Sequence, residues 1–511
     1  MVSQTQKWAD EDPIGSAWLA REFGVEPIQP LRIVSAIGPS RAVEVRGNFW
    51  AKRYQEPYRP GPNLAEHLEF MLKHEAIHLE LLARLFAKAG QSELAAWVQA
   101  KPTSRYARQA GFLYEWLTGR TLDYMGTVKG VYVSALPEDN CFTASEAPLN
   151  SRWRIRNNLP GTPSFCPTVH LFESVRLAQS YDLPKAFEAF EQDFGSDLVS
   201  RSAVWMTLKE SRSSFAIEGE ARHLSRIQRF AAVLENETGA HSDPLSEATL
   251  LHLQKSILGE QAAVHGIRQS PIFIGESRTE TVHYIAPNGD RVAEMLDGLA
   301  AVERRTRGQN PLARACALSF GFVYIHPMTD GNGRISRFLV NDTLRRDGAV
   351  PDPYILPISA VIAHSSRDYD RILELLSKPL MRRAAGHYRF GTTRRYPDRL
   401  TSDFYFDGYE DCDPAWRYPD LTDHVVYLST VLKKTIDREM RQEAAEMRSY
   451  RAALQNLKSI LERPDPELER IVRSIHDNRY EVSNKLKNEF PFLESAPLAV
   501  QIAQVVRAAF E

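Results

Sequence analysis

The sequence predicts a mainly α-helical protein, in which a helical core carries one β-hairpin between a mixed N-terminal region and a helical C-terminal region. Three observations predict it. Apolar residues recur at helical steps through most of residues 172–385. Two short β-prone runs, 271–275 and 281–285, flank a polar turn inside that stretch. Near the C-terminus, Met447, Tyr450, Leu454, Leu457 and Leu461 form a seam on which one helix packs against another.

At 511 residues the chain exceeds what one hydrophobic core serves, so about two to four domains are expected. Residues 1–170 form a mixed α/β region. Helical patterns run over 64–87 and 105–117, with turn-rich pieces and scattered aromatics between them. The stretch 157–163, Asn-Asn-Leu-Pro-Gly-Thr-Pro, reads as a loop and places a boundary near 170. The helical core then spans 171–385. Residues 386–511 read as a linker, aromatic and acidic over 404–419, then a long amphipathic helix over roughly 423–462 and short helices to the end.

Composition is that of a soluble globular protein: 43% hydrophobic and 25% charged residues, with a formal net charge of -2. No global basic field exists to draw the chain to nucleic acid or an anionic membrane. Cys141, Cys166, Cys316 and Cys412 are too scattered for a disulfide framework or a zinc ribbon. The N-terminus is polar and acidic, unlike a signal peptide, and no apolar run approaches the ~20 residues of a membrane span. A cytoplasmic protein is expected.

The chemistry concentrates in His326-Pro327-Met328-Thr329-Asp330-Gly331-Asn332-Gly333-Arg334-Ile335-Ser336-Arg337. Leu312, Ala315, Cys316, Ser319, Phe322 and Val323 lie on one face of a helix that delivers the chain to His326, and Pro327 stops that helix. A second helix starts near Gly333. Gly331 and Gly333 let successive amides turn inward as an anion nest, to which the helix N-terminus adds positive charge. Arg334 and Arg337, three apart, reach the same side and suit bidentate phosphate binding. Asp330 sits where a carboxylate holds Mg²⁺ against phosphates, and His326 takes a proton near neutral pH. Gly-Asn-Gly alone would also fit a structural turn. The full run brings together a base, a metal ligand, a nest and two arginines, which are the parts of phosphoryl or nucleotidyl transfer. The Walker pattern lacks its Lys here, and the dinucleotide fingerprint lacks its third Gly and preceding strand.

This run resembles the Fic signature, His-Pro-Phe-x-Asp/Glu-Gly-Asn-Gly-Arg-x-x-Arg. Met328 stands where Phe is usual and can fill the same apolar space. The resemblance covers about 172–385. It implies transfer of AMP from ATP to a Tyr, Thr or Ser hydroxyl of a protein target, the chain itself included, with Mg²⁺ or Mn²⁺. His326 would be the base. Asn332 and the amides of Gly331 to Gly333 would bind the α and β phosphates, Arg334 would stabilise the leaving pyrophosphate, Arg337 would hold the γ-phosphate, and Asp330 would hold the metal. Ser214-Phe215-Ala216-Ile217-Glu218-Gly219 resembles the family's inhibitory motif on a helix before the core, here about 200–225, in which Glu218 would compete with the γ-phosphate for Arg337. The hairpin with Ile272, Phe273 and Ile274 resembles the flap that pairs with the target. The 356–359 segment and Tyr369 resemble the region enclosing adenine. Other chemistry on the same scaffold stays open (removal of AMP, UMP or phosphocholine transfer), as do a non-catalytic nucleotide-binding regulator and a homodimer.

His74-Glu75-Ala76-Ile77-His78 matches the zinc-peptidase pattern His-Glu-x-x-His, whose two histidines share one helix face. Lys73 and Glu80 beside it, and the lack of a clear third ligand, favour a structural role. The basic residues Arg473, Arg479, Lys485 and Lys487 are diluted by Asp477 and Glu481, so a helical cap is expected there rather than a nucleic-acid reader.

Overall fold

The computed structural model describes residues 12–259, 266–276 and 279–511. Strands β1 (Pro13–Ile14), β2 (Ile33–Ile37), β3 (Ala42–Arg46) and β4 (Phe49–Tyr54) form a sheet in the order β1-β2-β4-β3, in which only β2 and β4 run parallel. The helical run expected over 64–87 is two helices, α1 (Leu64–His74) and α2 (Leu79–Lys88). Glu75 is extended and its carboxylate accepts from the Ser16 backbone N–H and hydroxyl. His78 caps α2 by accepting from Leu81 N, while its Nε2 lies 3.1 Å from the Gln29 carbonyl. Partners brought from far along the chain thus outweigh the local tendency to continue one helix. The helix pattern over 105–117 is present as Arg105–Thr118, stopped by Gly119 in the left-handed conformation.

The main core is helical, as expected. In chain order it contains α3 (Ser196–Ile217), α4 (Leu224–Glu237), α5 (Glu247–Leu258), the hairpin β5 (Phe273–Glu276) and β6 (Thr281–Ile285), α6 (Pro311–Ile325), α7 (Asn332–Arg346), α8 (Ile358–His364) and α9 (Ser366–Ala384). α6 is buried on nearly every face because nearly every face is apolar. Pro311 occupies its first turn and the Asn310 side chain accepts from Ala313 N, so its start is set locally. α6 and α7 pack on each other, with the signature loop between them.

The region read as a linker is structured. β7 (Tyr388–Arg395) and β8 (Thr401–Phe406) form an antiparallel hairpin, followed by a helix over Tyr409–Arg417. The acidic residues disguised a strand: Phe404 and Phe406 alternate inward, and Phe404 meets Phe273 of the first hairpin at a ring distance of 4.8 Å. The long helix is present as α10 (Thr422–Lys434), a π-helical turn (Thr435–Met440) and α11 (Arg441–Lys458). The main core therefore continues past 385 to Ala444. A second core is built from the N-terminal region together with Tyr418, and a third from Ala453 to Val506. Buried Arg32 clamps the N-terminal region to the start of α10 through Asp420 (2.6 Å) and Asp423 (2.6 Å). Among the described residues no helix is long and apolar enough to cross a membrane.

Candidate active site

His326 is the residue on which α6 ends. It adopts a left-handed backbone (φ 51°) while its N–H still closes the last turn on Phe322 O. Non-glycine residues rarely hold that conformation, and here the surroundings impose it. Residues 266–268 run antiparallel to 327–329: Arg268 N donates to Pro327 O, and Thr329 N donates to Gly266 O. Met328 is fully buried and anchors the loop, as its apolar character predicts. From α5, Gln254 donates to Asp330 O (2.9 Å) and Thr329 Oγ1 (3.1 Å) and accepts from Gly266 N. Gly331 then takes φ 85°, and α7 begins at Asn332. The first-turn amides of α7 have no helical acceptor and point at the loop mouth.

Both arginines of the loop are buried, and each meets a carboxylate from the end of α3. α3 stops at Ile217, short of the residue 225 expected, so Glu218, Gly219 and Glu220 form its terminal turn. Arg337 donates from Nε to Ser214 Oγ (2.8 Å) and from Nη2 to Glu218 Oε1 (2.8 Å). Arg334 donates from Nη1 to Glu220 Oε2 (2.9 Å) and lies over the Phe215 ring at 4.8 Å. Its Nε is buried with no hydrogen-bond partner among the described residues. A Cβ placed on Gly333 would collide with Glu218 Oε1. The Glu218 carboxylate therefore sits over the first turn of α7, where the nest would receive an anion. Gly219 itself takes φ 74°, which lets the chain leave α3 there.

The electrostatics follow from this crowding. Burial raises the Glu218 carboxyl, but the charge and hydrogen bond of Arg337 outweigh it, with Arg334 and His326 adding to the pull, and the net shift is downward. Burial first, and then the Arg268 charge, bring His326 down to about 4 against the opposing Val323 hydrogen bond and Glu218. His326 is thus neutral at pH 7 and able to accept a proton. One helical turn before Ser214, fully buried Glu210 accepts from Ser359 N (2.7 Å) and Oγ (2.6 Å), which fastens α3 to α8. Burial lifts its carboxyl to about 7 against those hydrogen bonds and Arg337.

Other expected site residues are placed as follows. The Asn332 carboxamide bonds the loop itself: Oδ1 accepts from Met328 N (2.8 Å) and Nδ2 donates to Met328 O (2.9 Å), so the side chain staples the loop. Asp330 is about half exposed, and its Oδ1 accepts from Gly331 N (2.6 Å) and Arg334 (3.4 Å). Among the described residues no set of three His, Cys, Asp or Glu side chains could hold a metal alone. A single open carboxylate suits a divalent ion that arrives on phosphates. Tyr369 lies next to Arg337; burial raises its phenol against that charge. Phe273 and exposed Ile274 are on β5, and Ile272 just precedes it. Glu220, Gln254, Arg268 and Glu210 carry no sequence signal comparable with the signature, since their roles arise from contacts distant in sequence.

Residues 244–344 match the family model described as the Fic/DOC family. The protein adenylyltransferase fic-1 of Caenorhabditis briggsae is 31% identical over 111 residues, covering 21% of this chain and 20% of that protein. Its namesake from Caenorhabditis elegans is 29% identical over 118 residues, covering 23% and 22%. The match thus spans about a fifth of the length of these curated relatives. A crystallised Fic family protein from Desulfovibrio desulfuricans aligns at a TM-score of 0.37 and 17% identity, over 62% of this chain and 93% of that one. A Fic domain containing signaling protein from Bacteroides thetaiotaomicron aligns at a TM-score of 0.36 and 16% identity, over 54% and 97%.

Proposed function

We propose that this chain, whose residues 244–344 match the Fic/DOC family model, is a protein adenylyltransferase, moving AMP from ATP to a hydroxyl of a protein target and restrained by its own α3. The observation that carries this reading is the meeting of a neutral His326, the first-turn amides of α7 and two buried guanidinium groups around one loop. His326 takes the proton of the target hydroxyl. The oxygen attacks the α-phosphorus in line, the bond to the bridging β-phosphate oxygen breaks, and pyrophosphate leaves. Arg334 offers its unpartnered Nε and its fork to the leaving charge, and Arg337 holds the γ-phosphate. The backbone of Gly331 to Gly333 lines the nest, and Tyr369 stands on the adenine side. Asp330 would hold Mg²⁺ or Mn²⁺, which neutralises phosphate charge when bound.

In this reading the restraint has two latches. Glu218 occupies Arg337 and the α7 N-terminus, and Glu220 occupies Arg334. The nucleotide phosphates and these carboxylates want the same donors, so ATP binds fully only when the end of α3 yields. The test is labelling of the purified protein with α-labelled and γ-labelled ATP and with α-labelled UTP. AMP transfer predicts label from α-labelled ATP alone. Label from UTP or from the γ position would assign another transfer chemistry, and no label from a Glu218→Gly variant would leave a nucleotide-binding regulator.

A further inference from the structure

Arg268 is fully buried, yet its guanidinium hydrogen-bonds no carboxylate among the described residues. It donates instead to four carbonyls: His326 O (2.6 Å), Ile325 O (3.1 Å), Ser270 O (3.1 Å) and Pro287 O (2.9 Å). These carbonyls belong to three pieces of chain. Ile325 and His326 are the end of α6, Ser270 leads into the flap hairpin, and Pro287 leads out of it. A buried polar cation is tolerated only when its donors are satisfied, and carbonyls at a helix C-terminus carry negative partial charge. Arginine's planar fork can reach acceptors in several directions at once, whereas the lysine ammonium is a single point.

The flap is also held from its other side. Asp398, in the turn between β7 and β8, accepts from Gln269 N (2.7 Å) and Ser270 N (2.6 Å). Phe273 of the flap packs on Phe390 at 5.3 Å. The flap base is thus gripped between the second hairpin and the turn that presents His326. An error of about an ångström between reacting groups can lower a rate on the order of a hundredfold.

We infer that Arg268 is a positioning residue for the transfer reaction, setting the height of the flap against the His326 imidazole so that a hydroxyl presented by the flap meets the base. This rests on the adenylyltransferase reading. The same guanidinium's charge pushes the His326 imidazole down, opposed by Glu218 from the α3 end; Tyr284, Tyr409 and Asp398 act on Arg268 itself. Two contributions are therefore separable. Lysine keeps the charge and loses the fork. Glutamine loses the charge as well.

The experiment places Arg268→Lys and Arg268→Gln in the Glu218→Gly chain. It measures ATP affinity by calorimetry, AMP incorporation into the protein from α-labelled ATP, and the His326 titration midpoint by NMR. ATP affinity should stay within about threefold, because the phosphate donors lie on α7. Incorporation should fall at least tenfold in both variants. The midpoint should rise in Arg268→Gln and stay near the parent value in Arg268→Lys. A folded Arg268→Lys chain that labels within twofold of its parent overturns the inference, as does an unmoved midpoint in Arg268→Gln. If neither variant folds, Asp398→Ala decides: it frees the flap base while keeping the Arg268 guanidinium and its fork, and an unchanged labelling rate overturns the inference. Should the Glu218→Gly parent label nothing, the transfer reading fails, while the midpoint still tests whether Arg268 governs His326.

Discussion

Removing the two latches is the most direct test of how this site is held. The Glu218–Arg337 pair joins a guanidinium side chain only 3% exposed to a carboxylate side chain about one third exposed (33%). A hydrogen bond to a charged group is worth about 1.5–3 kcal/mol, and partial exposure moves this one to the lower end. A loss of about 1.5–2 kcal/mol of competition corresponds to roughly a 10- to 30-fold gain in transfer rate for Glu218→Gly. Glu218→Asp should release only part of it, because the shorter side chain reaches less far. Glu220 is 28% exposed and is shared between Arg334 and Arg226. Its loss in Glu220→Ala should be worth about 1 kcal/mol, roughly a fivefold gain. The two effects will not add simply, because Glu218 also feels Arg334. The assay is the initial rate of AMP incorporation from α-labelled ATP at equal protein, with ATP affinity measured alongside. Wild type and Glu218→Gly labelling at the same rate would refute the restraint. If Glu220→Ala changed nothing in either background, Glu220 would be a surface partner of Arg226 and the second latch would not exist.

Three further outcomes are expected. His326→Ala should lower incorporation by at least a hundredfold while calorimetric ATP affinity is retained, because no phosphate donor is removed. Arg337→Ala should abolish labelling even in the Glu218→Gly background and weaken ATP binding about tenfold or more, since the γ-phosphate loses its fork. Glu210 links stability to pH. Burial raises its folded-state pKa from 4.5 to about 7, so its contribution is fully present below pH 4.5 and is lost as pH rises through 7. The loss amounts to at most about 3 kcal/mol. Urea midpoints of wild type should fall between pH 5 and pH 8, and Glu210→Gln should flatten that dependence; equal slopes for the two proteins would show that Glu210 does not govern it.

The sequence by itself determined which chemistry-bearing residues the loop brings together. Its base, glycines, acid and arginines are contiguous, and the apolar periods of 312–323 and 335–344 place a helix on each side. Local spacing was enough there because helix faces and glycine turns depend on near neighbours. Met328, buried as an anchor, and the β5–β6 hairpin were legible for the same reason. What only the tertiary structure decided concerns partners distant in sequence. The His-Glu-x-x-His run breaks between two helices because Ser16 and Gln29 supply the hydrogen bonds that end one and start the other. The β7–β8 hairpin was hidden because its aromatic residues find their partner in Phe273, more than a hundred residues earlier. Asn332 turns out to staple the loop because Met328's backbone offers it both a donor and an acceptor. Glu220 on Arg334 and Arg268 on the His326 carbonyl join positions 114 and 58 residues apart. Periodicity says which face of an element is apolar. Which charge meets which is set by how those elements pack.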